Sequence, residues 1–156
     1  MNVKRRLLLK GAATASFVSV SIASGVLSPR RALAAWPKSA FDAENLADTM
    51  AAIGGSTEAS DSGDITIKAP DIAENGAVVP VSVDVAMDNV EKISIIVEGN
   101  PAPLAASFDL GAGAKGFVST RIKMGKTSNV IALVQADGKL YKSSKEVKVT
   151  IGGCGG

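Results

Sequence analysis

The sequence has no histidine and a single cysteine in 156 residues, and each shortage removes a class of function. Without histidine there is no imidazole general base, no Ser-His-Asp triad and no imidazole metal site. One cysteine closes no internal disulfide and builds no thiolate zinc site. Haem and copper ligation fail as well, because the 4 methionines are scattered at positions 1, 50, 87 and 124. No metal or cofactor is therefore expected. With 6 prolines and 21% charged residues the chain is not disordered throughout, and its length allows one domain.

Charge is divided unevenly. The first 34 residues hold six positive side chains (Lys4, Arg5, Arg6, Lys10, Arg30, Arg31) and no acid. Residues 35–156 then carry 11 basic against 15 acidic side chains, a formal −4. A mildly acidic domain is a poor ligand for nucleic acid or anionic membranes.

Residues 4–10 read KRRLLLK, followed by an uncharged stretch from Gly11 to Ser28. This resembles a twin-arginine signal peptide, with Leu8 where many such signals have Phe. Gly, Ser and Thr at 11, 14, 16, 19, 21, 24 and 25 dilute the hydrophobic run, against a permanent membrane anchor. Ala32-Leu33-Ala34 fits small-x-small cleavage, so residues 1–34 read as a cleaved leader and the mature chain begins near Ala35, with no membrane attachment. The implied compartment is an oxidising bacterial periplasm, entered already folded. A lone thiol there is buried, paired with another molecule, or kept for its reactivity.

Residues 35–64 read as a helix and a loop. Ser39 and Asp42 have capping-box spacing, and Ala43, Leu46, Ala47, Met50 and Ile53 recur at helical intervals up to Gly54-Gly55, predicting one helix over 40–53. Its narrow, Ala-rich stripe suits docking on a larger body, where Trp36 and Phe41 are expected to pack. Ser56 to Asp64 reads as loop.

From Ile65 the period becomes two. Val79, Val81, Val83 and Val85 alternate with Pro80, Ser82, Asp84 and Ala86, and Ile93, Ile95 and Val97 alternate with Ser94, Ile96 and Glu98, predicting half-buried strands. Further strands are expected at Ile65 to Lys68, Ala105 to Leu110, Phe117 to Lys123, Asn129 to Gln135, Lys139 to Ser143 and Val147 to Ile151. Asp137-Gly138 signals a type I′ hairpin and Asn75-Gly76 a second turn. Short strands at this spacing without intervening helices predict an all-β domain over 65–151, an immunoglobulin-like antiparallel β-sandwich preceded by a short helix. The run Gly111 to Gly116 is glycine-rich but lies between strands and lacks a Lys-Ser/Thr ending, so it is not read as a phosphate loop.

The chain ends GGCGG: Gly152, Gly153, Cys154, Gly155, Gly156. Glycine has the widest backbone freedom and no side chain to bury, so 152–156 is expected to form a flexible, thin arm. From Ile151 the thiol reaches about 10 Å. A catalytic cysteine needs an electropositive niche, whereas the nearest covalent charge here is the terminal carboxylate. A thiol of ordinary pKa, about 8.5, is only a few per cent ionised at neutral pH, so activation falls to a partner. Mobility, thinness and a unique nucleophile suit a covalent carrier, not an enzyme.

The leader, IAENGAVVPV at 72–81, EGNPAP at 98–103, TRIKMG at 120–125 and KVTIGGCGG at 148–156 together resemble the SoxY family, sulfur-carrying subunits of the bacterial thiosulfate-oxidising (Sox) system. The resemblance implies a non-catalytic periplasmic carrier that pairs with SoxZ as a heterodimer. Cys154 matches the attachment cysteine, and Gly152, Gly153, Gly155 and Gly156 match the arm. It further implies transient docking to SoxAX, which couples thiosulfate to the sulfur, to SoxB, which releases sulfate, and to the sulfane dehydrogenase SoxCD. The residues forming the SoxZ face are not identified by sequence; Ile93 to Val97 is one candidate, with core packing the competing reading. Two other functions stay open: a ubiquitin-like carrier bearing a thiocarboxylate on Gly156, and a structural sandwich that uses Cys154 for an intermolecular disulfide.

Overall fold

Valine at alternate positions builds the most regular strand, Val79–Val85, whose residues are buried and exposed in turn, as a pleat with one face on a core requires. Among the described residues it is β4 of nine strands: β1 (Ser60–Asp61), β2 (Ile65–Lys68), β3 (Ile72–Ala73), β4, β5 (Val90–Val97), β6 (Leu104–Asp109), β7 (Phe117–Ile122), β8 (Ser128–Ala136) and β9 (Lys139–Val149). Two helices among the described residues, α1 (Lys38–Phe41) and α2 (Leu46–Gly54), precede them. The computed structural model describes residues 38–150. The leader, Ala32-Leu33-Ala34, Trp36, and Ile151 to Gly156 with Cys154 lie outside the described residues.

The strands form two sheets, one in the order β1-β9-β8-β5-β6 with β3 also on β9, the other β2-β4-β7. Between them pack Val79, Val81, Val83 and Val85 from β4, Ile93, Ile95 and Val97 from β5, and Val130, Ala132 and Val134 from β8. This is the expected immunoglobulin-like sandwich. All the long ladders are antiparallel, but β1 and β3 each add a two-residue parallel pairing to the outer edge of β9. Between those pairings Lys145 Nζ donates to the Ala69 carbonyl at 2.7 Å and pairs with Asp71 at 3.0 Å.

Several expectations need correction, among them the reading of Ser56 to Asp64 as loop throughout, since Ser60–Asp61 is a strand. Ile93 to Val97 is not half-buried: every residue in it is buried. Ile96 turns away from the inter-sheet core and, with Leu104, Ile131 and Leu133, packs against Ala40 and Met50 of the helices. A strand covered on both faces loses its alternation. The helix therefore docks on the body as expected, and Phe41 packs against the same cluster, half-buried.

Another correction concerns the single helix over 40–53, which is two. Asn45, not Ser39, caps the longer one: its Oδ1 accepts from the Asp48 amide at 2.9 Å and its Nδ2 donates to the Asp48 carboxylate at 2.7 Å. This reciprocal pair captures the helix start that the Ser39/Asp42 spacing imitates; Asp42 instead pairs with Lys38. Gly55, left-handed at φ 72°, ends α2 by donating to the Ala51 carbonyl at 2.8 Å. Asp137 (φ 49°) and Gly138 (φ 68°) form the expected I′ turn between β8 and β9. Asn75-Gly76 turns differently, with the Ala77 amide donating to Asn75 Oδ1 at 2.9 Å. The two strands expected at Lys139 to Ser143 and Val147 to Ile151 are one, Lys139–Val149, carried through its polar middle by continuous pairing with β8.

Candidate functional site

The predicted site residues, Cys154 with Gly152, Gly153, Gly155 and Gly156, lie outside the described residues. What the structure positions is the root from which they extend: Val147, Lys148, Val149 and Thr150. Val147 is fully buried in the core, Val149 packs half-buried against it, and hydrogen bonds hold the residues after Val147. On one side the Lys148 amide donates to the Asp71 carbonyl at 3.0 Å and the Thr150 amide to the Ala73 carbonyl at 3.1 Å. On the other the Val149 amide donates to Thr127 Oγ1 at 2.9 Å. Successive amides of a strand point to opposite sides, so the root is gripped from both.

Three loops converge on this end of the sandwich. In the β3–β4 turn, the Gly76 carbonyl accepts from the Met124 amide at 2.7 Å. A Cβ on Gly76 would lie 2.3 Å from the Met124 carbonyl oxygen and 2.8 Å from Val149 Cγ1, so the β7–β8 loop and the root close over it. In the β5–β6 loop, Asn100 Nδ2 donates to the Lys123 carbonyl at 2.7 Å and Asn100 Oδ1 accepts from the Gly125 amide at 3.0 Å. Glu98 in turn accepts from Asn129 Nδ2 at 2.9 Å. The segments 72–81, 98–103, 120–125 and 148–150, dispersed in sequence, thus meet around the strand that leads to Cys154.

The electrostatics of this end are distinct. Arg121, Lys123, Lys126 and Lys148 are all exposed, and among the described residues none joins an ion pair, whereas Lys38, Lys68, Lys92 and Lys145 each face an aspartate. The opposite end is acidic: Asp84, Asp88 and Glu91, with Lys115, line an open groove against the Gly111 to Gly116 loop. Those carboxylates disfavour a phosphate there, in line with the sequence reading of that loop. Two exposed apolar side chains, Ile72 (58%) and Val78 (50%), flank the root side of the β3–β4 segment. No cluster of three or more acidic or cysteine side chains is placed to hold a metal among the described residues.

The candidate partner face on Ile93 to Val97 is not available, since Ile93, Ile95, Ile96 and Val97 are each 0% exposed within the chain itself. Sequence reasoning in turn missed Thr127, Asn100 and Ala73. Asn100 sits beside Pro101, which signals a loop but not its bond to a segment more than 20 residues away. Nothing local in the sequence marks Thr127.

Comparison with known proteins gives the family. The model of the sulfur oxidation protein SoxY matches residues 49–154. The structure of the sulfur carrier protein SoxY from Chlorobium limicola f thiosulfatophilum is 48% identical, over 69% of this chain and 97% of that one, with a TM-score of 0.63. A PKD domain of an M14-like peptidase from Thermoplasmatales archaeon SCGC AB-540-F20 is 15% identical over 55% of this chain and 91% of its own, and its TM-score of 0.37 carries no argument. Curated proteins yield no match. Since the family model spans well over half of the sequence and the Chlorobium protein is 48% identical over 69% of this chain, this chain belongs to the SoxY family.

Proposed function

We propose that the chain is a periplasmic covalent carrier of thiosulfate-derived sulfur, with Cys154 as the attachment point and 152–156 as a swinging arm. One observation carries this reading in a SoxY-family chain: the only cysteine stands four residues beyond Thr150, the last of the described residues, whose amide is bonded to Ala73. At roughly 3.3–3.6 Å per residue, the thiol reaches about 13–14 Å from that point. It passes beyond the side chains of the sandwich and enters a partner's cleft, where the flanking glycines keep the arm narrow.

The chemistry divides between arm and partners. Loading joins the Cys154 sulfur to the outer sulfur of thiosulfate; the thiol proton is released and two electrons pass to an acceptor in the partner, the role that a haem protein of the SoxAX type would fill. A hydrolase of the SoxB type then adds water across the sulfur–sulfonate bond, so that sulfate leaves and a persulfide stays on Cys154. A sulfane dehydrogenase of the SoxCD type acts on the sulfur that remains. The chain supplies no catalytic group to these steps. It supplies position, while at the arm's origin the exposed Lys123, Lys126 and Lys148 share the surface with the exposed Glu74, Glu98 and Glu146, and each charge acts on a cargo only within about one Debye length. Delivery by a tether replaces repeated capture of a small anion, which sets the advantage of covalent carriage. A SoxZ-type partner completes the working heterodimer, and the leader at 1–34 exports the pair folded.

The test is replacement of Cys154 by Ser with every glycine kept, followed by intact mass measurement after exposure to thiosulfate and the oxidising partner. A reducible mass increment on the native chain, absent from Cys154→Ser, is expected. Loading that survives in Cys154→Ser would transfer the reaction to the Gly156 carboxylate, as in a thiocarboxylate carrier. If reducing the protein abolished turnover instead of permitting it, Cys154 would be a structural disulfide partner.

A further inference from the structure

The β8–β9 ladder ends with Ser128 opposite Val147. If its register continued, Lys126 would stand opposite Val149, but β8 begins at Ser128 and the chain before it turns away toward β7. The Val149 amide and carbonyl on that side therefore face no strand. The Thr127 hydroxyl takes the place of the missing residue: Oγ1 accepts from the Val149 amide at 2.9 Å and donates to the Val149 carbonyl at 3.4 Å. A single side chain thus imitates both halves of a ladder pair.

We infer that Thr127 is a positioning residue, which sets the point from which the arm is tethered. The inference rests on the carrier reading for its functional meaning, though not for its geometry. On the β3 side, Ala73 holds the Thr150 amide and Asp71 the Lys148 amide; on the β8 side, Thr127 alone holds Val149 among the described residues. Remove that hydroxyl and the strand end is gripped from one side only, by the Asp71 and Ala73 carbonyls, so Val149 loses its hydrogen-bonded partner while Lys148 and Thr150 keep theirs and the root loosens at its centre. A carrier that must place a thiol at the bottom of a cleft benefits from a root that does not slip.

The experiment compares Thr127→Val, which keeps the branched shape and loses the hydroxyl, with Thr127→Ser, which keeps the hydroxyl. The mature chain is used with its SoxZ-type partner. Amide hydrogen exchange at Val149 is expected to quicken about threefold to tenfold in Thr127→Val, the loss of one hydrogen bond, while exchange at Val130 and Ala132 is unchanged. Thr127→Ser should stay within about twofold of the native chain. A nitroxide on Cys154, the sole thiol, should give a more mobile spectrum in Thr127→Val and a native one in Thr127→Ser. Unchanged Val149 exchange in Thr127→Val, or equal quickening in both variants, overturns the inference. Neither readout involves sulfur chemistry, so a Cys154→Ser chain that still loads would overturn the carrier reading and leave this anchor standing.

Discussion

Replacing Gly76 by Ala tests whether the arm's root is built on close backbone approach. An added methyl would stand 2.3 Å from the Met124 carbonyl oxygen and 2.8 Å from Val149 Cγ1, both far inside van der Waals contact. The first of these is backbone and cannot rotate away. Nor can Met124 simply withdraw, because its amide donates to the Gly76 carbonyl at 2.7 Å and its side chain is 2% exposed in the core. Relaxation must displace the β7–β8 loop or the β3–β4 turn. Overpacking of this kind costs about 1–3 kcal/mol, and breaking the Met124 bond adds about 1 kcal/mol. At roughly 4 °C per kcal/mol for a domain near this size, the melting temperature of the mature chain should fall by about 8–16 °C. Calorimetry against Gly63→Ala is the appropriate comparison, since a Cβ on Gly63 meets nothing within 4 Å. Equal melting of the two variants, within about 2 °C, would refute the close-approach account of the root.

Further outcomes follow from the helical layer. Asn45→Ala should destabilise the chain by about 0.5–2 kcal/mol by removing the cap of α2, while Ser39→Ala should remain within about 0.5 kcal/mol, both read from urea denaturation. Leu133, 1% exposed between the large sheet and the helices, should cost about 2–5 kcal/mol when cut to Ala. In that variant, limited proteolysis should attack residues 38–54 before the sandwich.

Residues with a period long enough to register were read well from the sequence. Val79–Val85 and Ile65–Lys68 appear as predicted, because their alternation reflects burial on one face. Asp137-Gly138 was equally legible, since its two positive φ angles are a local demand on residue type. Ser60–Asp61 and Ile72–Ala73 were not legible: two residues hold no period, and each pairs only because the edge of β9 lies beside it. The two-sided burial of Ile93 to Val97 depends on where the helices land, which no pattern within β5 records. Gly76 was read as a turn residue, yet it is not among the glycines with positive φ; closeness to Met124 and Val149 is what excludes a side chain. Cys154 lies outside the described residues, so its reading rests on composition alone, one thiol among four glycines, whereas Thr127 acts on a residue 22 positions away and leaves no local mark.

The two halves of β9 meet opposite requirements. Up to Val147 the strand is secured by hydrophobic burial, which is strong and does not depend on the orientation of a single group. Beyond it only the half-buried Val149 side chain still packs on the core, and Lys148, Val149 and Thr150 are further held by bonds to Asp71, Thr127 and Ala73, each worth about 1 kcal/mol net. Grip therefore declines over three residues before the glycines begin. A root fixed entirely by burial would leave no residue able to yield when the arm enters a cleft; a root fixed only by exposed bonds would fray into the ladder and let the tether lengthen. Placing Val147 in the core and a threonine hydroxyl one residue before β8 begins confines yielding to Val149 and Thr150. Under the proposed carrier function, a docking load on the arm would be absorbed at those residues, while the buried sandwich behind them keeps its register.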